Sequence, residues 1–224
     1  RDDCIVCPYH GYRFDATGKC VLVPSHPEWK IPGKLRLQTV LHEERYGIIW
    51  VCLSGKPANR IPVWEPEESD STYRRFTLGP EIWDCSAGRL IENFIDNAHF
   101  SFVHQSSFGQ EGSATMGAEY EFSQDNYTMT MAFDYKATNP DDSPIADASE
   151  LDRHMHRTLF LPFSTRTVIS YPEEREHLIH FNIAPVSSRK SQLIAVFHRN
   201  FDHDVPLDQL REWEKKIIYE DRAI

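Results

Sequence analysis

Two imidazoles and a carboxylate share one apolar-rich stretch, Asn93-Phe-Ile-Asp96-Asn-Ala-His99-Phe-Ser-Phe-Val-His104. A mononuclear Fe(II) that activates oxygen takes two His and one carboxylate on one face and leaves the opposite positions open. His99 and His104 are the candidate nitrogen ligands. On a regular α-helix, residues five apart point roughly 140° away from each other. The spacing therefore predicts a π-bulge or a helix end between the two histidines. Asp96 precedes His99 by three residues, on a neighbouring strip of the same expected helix, where it can hold an imidazole rather than complete the ligand set. Eleven histidines in 224 residues make such a pair common by chance. Taken alone, the segment reads equally well as an ordinary amphipathic helix.

A second constellation lies in Cys4-Ile-Val-Cys7-Pro-Tyr-His10-Gly-Tyr-Arg-Phe-Asp15-Ala-Thr-Gly18-Lys-Cys20. Cys7 and His10 form a Cys-x-x-His pair followed by Gly11, which presents a thiolate and an imidazole from a tight loop. In Rieske centres two His replace two Cys on one iron of a 2Fe-2S cluster, which raises its potential. Cys4, Cys7, His10 and Cys20 could instead close a structural zinc site.

The run from Cys7 to Asp15, the Gly18 turn and the following Val-Pro strand resemble the second half of the Rieske motif. The Asn93 to His104 segment resembles the iron-binding motif of the Rieske non-haem iron oxygenases. Together, in this order, they identify the chain as resembling the oxygenase (alpha) component of that family. Its nearest flavour is the aromatic demethylases, the caffeine-type N-demethylases and vanillate-type O-demethylases.

The resemblance implies a 2Fe-2S cluster with Cys7 and His10 as its second ligand pair. The first Cys-x-His pair belongs roughly sixteen residues earlier, before Arg1, so the chain reads as a fragment truncated at both ends. It also implies a mononuclear Fe(2+) held by His99, His104 and an acid late on the C-terminal helix. Asp221 is the expected acid and Glu220 its rival. Asn93 corresponds to a neighbour of the iron pocket. Electrons would come from NAD(P)H through a reductase or ferredoxin, and O2 would oxidise a small aromatic or heteroaromatic substrate. Oxidative N- or O-demethylation with release of formaldehyde is the expected outcome, and ring hydroxylation uses the same iron chemistry. A head-to-tail homotrimer is implied, in which Asp96 bridges the partner subunit's His10 to His99. Outside this family, the larger module could be a helix-grip ligand carrier whose metal residues are incidental.

Composition sets bounds. A net charge of −10 argues against nucleic acid, whose binding needs Lys and Arg against phosphates. No apolar run approaches membrane-spanning length and no signal peptide is visible. Five cysteines without a paired framework suit a reducing compartment, so a cytoplasmic location is expected.

The expected fold class is α+β. Residues 1–56 form a partial Rieske 2Fe-2S domain of short strands, residues 57–71 a proline-marked linker, and residues 72–224 a catalytic mononuclear non-haem iron domain of helix-grip type. In the first part, alternation and turn residues predict strands at 12–15, 20–23, 35–41 and 48–53. In the last part a helix begins near Ala87. Strands follow at 118–122, 128–135, 154–160, 165–171, 177–183 and 192–200, then a helix from Leu207. Phe94, Phe100 and Phe102 are expected as core beneath the site, with the strands after Met116 as pocket walls.

Overall fold

The computed structural model describes residues 3–109, 120–138 and 150–224. The chain divides into two compact units, Arg1–Ile61 and Pro62–Ile224. The first holds a three-stranded antiparallel sheet of β1 (Ile5–Val6), β2 (Arg13–Phe14) and β3 (Cys20–Leu22), and a hairpin of β4 (Leu41–Arg45) with β5 (Ile48–Cys52). Tyr46 and Gly47, at φ 60° and 68°, make the two-residue turn whose twist matches that of its strands. Phe14, Cys20 and Val23 are its buried core. The strand expected over 35–41 does not form. Arg36 makes one bridge to Lys19, and regular pairing begins at Leu41.

The second unit is built on one seven-stranded antiparallel sheet. Its strands are β6 (Arg74–Trp83), β7 (Glu121–Gln124), β8 (Thr128–Thr138), β9 (Glu150–Phe160), β10 (Ser164–Tyr171), β11 (Arg175–Ser187) and β12 (Lys190–Arg199). The order is β6-β12-β11-β10-β9-β8-β7, so β7 to β12 form a meander and β6 joins at its end. Helices α1 (Ala87–Ile95), α2 (Phe100–Val103) and α3 (Leu207–Arg222) complete the unit. The expected α+β class and helix-grip architecture describe it.

β6 has no counterpart in the sequence reading because Gly79-Pro80 signals a turn. In the fold the two residues face a register shift between Leu193 and Ala195 of β12, an irregularity that lets a strand keep a proline lacking an N–H. The strand expected over 118–122 lies partly outside the described residues, as does Met116.

Alternation gives the sheet two buried faces. One carries Phe76, Leu159, Leu193 and Phe197 against Leu90, Phe94, Leu210 and Ile218 of the helices. α1 buries Ala87, Leu90, Ile91 and Phe94, the i, i+3, i+4, i+7 stripe of a helix lying on a core. The other face buries Val168, Leu178, His180, Val196 and His198, with Trp64 stacked on His180 at 3.9 Å. Arg166 closes a two-pronged contact with Glu67 at 2.6 and 2.8 Å. Trp64 and Glu67 are thus buried parts of the larger unit, although they fall in the stretch expected to be linker. Prolines mark a break in regular structure but do not show whether the side chains between them are covered.

Phe94 and Phe100 are core as expected, whereas Phe102 is 68 % exposed, since it projects from the outer side of the single turn that buries Phe100. Among the described residues no helix is long and apolar enough to cross a membrane.

Candidate metal centre

The two motif histidines come from the ends of one helical turn. α1 starts at Ser86, whose Oγ accepts the Arg89 N–H at 3.2 Å, and stops at Asp96, where the backbone turns extended (φ −78°, ψ 142°). His99 opens α2 and His104 closes it. α1 therefore breaks before His99, so Asp96 does not share a helix with His99, and both ends of α2 fall between the two histidines, the helix end that their spacing predicts. No π-bulge is needed, because residues capping a four-residue helix are not bound to the regular 100° step. Gly109 completes the turn below His104. Its N–H donates to the His104 carbonyl at 2.8 Å, and a Cβ there would come within 2.1 Å of the Phe100 carbonyl oxygen.

Both rings aim at one carboxylate. His99 Nε2 lies 3.3 Å and His104 Nε2 3.2 Å from Asp221 Oδ1. One ligand atom from each of the three residues falls within 4.8 Å of the others. Asp221 comes from the last turns of α3, and Asn93 Nδ2 donates to its Oδ1 at 3.4 Å. His104 is 2 % exposed.

The opposite ring nitrogens are held as well. Asp96 accepts from His99 Nδ1 at 2.7 Å and from the backbone N–H groups of Ala98 and His99. Glu220 accepts from His104 Nδ1 at 2.8 Å, from Ser107 Oγ at 2.7 Å, and from the Ser106 hydroxyl. Glu220, the rival for third ligand, thus faces the far side of His104 from Asp221. A carboxylate on Nδ1 fixes the proton there and leaves the Nε2 lone pair free for a cation. Two imidazoles prepared in this way plus one carboxylate make a three-ligand set suited to a ferrous ion.

Electrostatics follow the geometry. Burial would lower the basicity of His99, but Asp221 and Asp96 outweigh it and raise its pKa. Burial would raise Asp221, but His104 and His99 hold it below the ordinary carboxylate value. Asp96 is likewise lowered, against its burial, by His99 and the two backbone N–H groups. Protons and a metal therefore compete for the same nitrogens.

Alongside the triad is a cavity walled by α1, α3 and strands β8 to β12, lined chiefly by apolar and aromatic side chains. Its polar groups are not among the site residues expected from the sequence: Arg153, Arg157 and Thr167 from the sheet, His177 from β11, and Glu214 from α3. Glu214 precedes Asp221 by seven residues, two helical turns. That spacing, and the alternation of Arg153, Met155 and Arg157, were the available signals. Burial pushes Glu214 up to about 7 although Arg199 pulls it down.

In the first unit, the loop from Cys7 to Tyr12 is closed by hydrogen bonds from Gly11 N–H to the Cys7 carbonyl and from Cys7 N–H to the Tyr12 carbonyl, both 2.9 Å. Cys7 is half-buried and His10 exposed, both presented from one turn with Gly11 at φ 72°. Among the described residues, no three of Cys4, Cys7, His10 and Cys20 gather as a metal group. Cys20 is instead buried in the small core, which sets the closed zinc site aside.

Residues 83–224 match the family model described as vanillate O-demethylase oxygenase C-terminal domain, and residues 1–40 that of the Rieske [2Fe-2S] domain. Methylxanthine N1-demethylase NdmA of Pseudomonas putida is 30% identical over 88% of this chain and 55% of its own length. Methylxanthine N3-demethylase NdmB of the same organism is 24% identical over 99% of this chain and 61% of its own. The structure of NdmA with caffeine superposes with a TM-score of 0.80 at 26% identity, covering 98% of this chain and 62% of that one. Dicamba monooxygenase bound to 3,6-dichlorosalicylic acid gives 0.85 at 20% identity, covering 100% and 69%, a likeness of fold. The chain spans 55% and 61% of the two curated relatives.

Proposed function

The chain belongs to the oxygenase family defined by the vanillate O-demethylase C-terminal domain, with a Rieske [2Fe-2S] match at its start, and from that premise we propose that it is part of a terminal oxygenase component. The reaction is oxidation of an aromatic or heteroaromatic substrate with O2 and NAD(P)H-derived electrons, by N- or O-demethylation. The observation that carries this reading is the convergence of His99 Nε2 and His104 Nε2 on Asp221, with a carboxylate behind each imidazole.

In this reading His99, His104 and Asp221 hold a mononuclear Fe(2+), which when bound supplies a site for dioxygen activation. Asp96 and Glu220 keep the Nδ1 protons in place, so both imidazoles present Nε2. The largely apolar cavity orients the substrate and excludes water from the oxidation. Asn93 steadies Asp221 from α1. Cys7 and His10 would provide a cysteine and a histidine to hold the Rieske cluster, which when bound would supply one-electron transfer, with an NAD(P)H-dependent reductase or ferredoxin as the electron source. Residues 1–56 are assigned to the Rieske domain and 72–224 to the catalytic domain, with Pro62 to Ser71 joining the latter.

The assembly proposed is a homotrimer in which Asp96 carries the contact from the partner subunit's His10 to His99. The Asp96 side chain is 47% exposed, which leaves it accessible to a neighbour. The test uses the full-length protein with reductase, NAD(P)H, O2 and N-methyl or O-methyl aromatic substrates. Formaldehyde and the demethylated product are expected, and Asp96→Asn should abolish turnover with iron retained. Full turnover by that variant contradicts the bridging role, and oxygenated rings without formaldehyde point to the hydroxylase alternative.

A further inference from the structure

The acid that completes the triad sits near the C-terminal end of α3, and one buried guanidinium grips both that helix and the turn before it. Arg199 is the last residue of β12, a strand paired on both sides, with His177 of β11 and Arg74 of β6 opposite it. It is 0% exposed. Its Nη1 donates to Asp202 Oδ2 at 2.9 Å, in the turn that leads to α3, and its Nη2 to Glu214 Oε1 at 3.2 Å, in the second turn of the helix. The Phe201 ring packs against the guanidinium at 4.8 Å. His177 Nδ1 accepts from the same Nη2 at 3.4 Å, which leaves the ring proton on Nε2, 3.3 Å from Glu214 Oε1.

Apolar packing alone sets little register. α3 buries Leu210, Trp213 and Ile218 beside Glu214, but apolar burial is non-directional, and Pro206 supplies no side-chain cap. Tyr219 reaches Glu81 and Arg222 the Ile82 carbonyl, both in exposed positions where polar pairs contribute little. The Asn93 contact to Asp221, at 3.4 Å, is long for a hydrogen bond. The Arg199–Glu214 pair is both buried and directed. Glu214 and Asp221 are about 20° short of two full turns apart and about 10.5 Å along the axis, so they share one stripe of α3. Side chains reach roughly 6 Å from a helix axis, so a roll of about 10° moves the Asp221 carboxylate by about 1 Å. Metal–ligand distances hold to within about 0.2 Å.

We infer that Arg199 and Glu214 are positioning residues for the metal centre: their buried pair sets the roll and height of α3 and so delivers Asp221 to His99 and His104. This rests on the iron reading of the triad and adds what makes a ligand near a helix terminus precise. Desolvation offsets most of the attraction in a buried ion pair, and replacing such a pair by apolar residues of similar volume is often neutral or stabilising. A register role and a stability role therefore separate in one variant.

Arg199→Met combined with Glu214→Leu removes both charges and keeps the interior filled. The full-length protein is titrated anaerobically with Fe(II) against a competing chelator at pH 8, above the value of about 7 to which burial raises Glu214. The double variant should fold, as a thermal melt checks, yet bind Fe(II) about 10- to 100-fold more weakly. Adding Asp221→Ala should then cost less than it does in wild type by about the same factor, because the carboxylate is already displaced; losses at independent sites would multiply. No loss of affinity, or a loss that persists in full once Asp221 is alanine, overturns the inference. Where the double variant does not fold, Glu214→Gln takes its place. It keeps the volume and a neutral acceptor for Arg199, so a loss of about 3- to 10-fold is expected, again vanishing with Asp221→Ala. A wild type that binds no iron refutes the metal centre instead, and metal-free crystals then decide the register. Asp221 Oδ1, 3.3 and 3.2 Å from the two Nε2 atoms in wild type, should leave both in the variant, and unchanged distances overturn the inference.

Discussion

Replacing Glu220 separates holding a histidine from holding a metal. Its carboxylate accepts from His104 Nδ1 at 2.8 Å, from Ser107 Oγ at 2.7 Å and from Ser106, around a ring only 2 % exposed. In Glu220→Ala the Nδ1 proton loses its acceptor where little water can replace it, a cost of about 1–3 kcal/mol. The ring becomes free to tilt or change tautomer, and losing such a partner typically lowers metal affinity about 10- to 100-fold. Glu220→Gln keeps a neutral acceptor, roughly half as strong as the charged one, so its loss should be about 3- to 10-fold. Anaerobic Fe(II) titration against a competing chelator measures both. The expected ranking of affinity is wild type, then Glu220→Gln, then Glu220→Ala, with Asp221→Ala weakest. Unchanged affinity in Glu220→Ala refutes the orienting role, and a loss as complete as that of Asp221→Ala makes Glu220 the ligand.

His198 is buried on the sheet face covered by Trp64 and has its pKa lowered to about 3 by burial first, then by His180 and the nearby arginines. The unfolded chain therefore binds a proton that the folded one refuses. Stability should be full above the unfolded value of about 6.5 and fall as pH drops toward about 3; thermal melts of His198→Gln should show a shallower acid slope, and an identical slope contradicts the assignment. Trp64→Ala should lose about 3–5 kcal/mol in chemical denaturation, because the indole is 1% exposed, whereas a true linker residue would lose almost nothing. Phe100→Ala should lose a similar amount and Phe102→Ala less than about 0.5 kcal/mol, a contrast that equal losses would erase.

Local chemistry was largely legible in the sequence, and placement in three dimensions was not. The histidine pair and the late acid could be chosen from spacing and resemblance, and the structure brings His99, His104 and Asp221 together. The break at Asp96 could not be located, since nothing in Ile95-Asp96-Asn97 ends a helix as a proline would. It depends on the Asp96 carboxylate accepting from the backbone N–H groups of Ala98 and His99. Strands β8 to β12 were readable by alternation, but β6 was hidden by Gly79-Pro80, whose turn signal is absorbed at a register shift with β12. The cavity arginines escaped notice because a charged residue on a strand ordinarily faces water. Only the covering helices make positions 153 and 157 interior.

One ion bound by three side chains, His99, His104 and Asp221, underlies the proposed chemistry. Anaerobic addition of Fe(II), with nitric oxide as a spin probe, lets pulsed electron paramagnetic resonance count the coordinated imidazoles while metal analysis gives the stoichiometry. One mononuclear iron per chain with two imidazole nitrogens is expected, one nitrogen vanishing in His99→Ala or in His104→Ala and iron binding collapsing in Asp221→Ala. Iron bound with full affinity and an unchanged nitrogen signal in all three variants would contradict it.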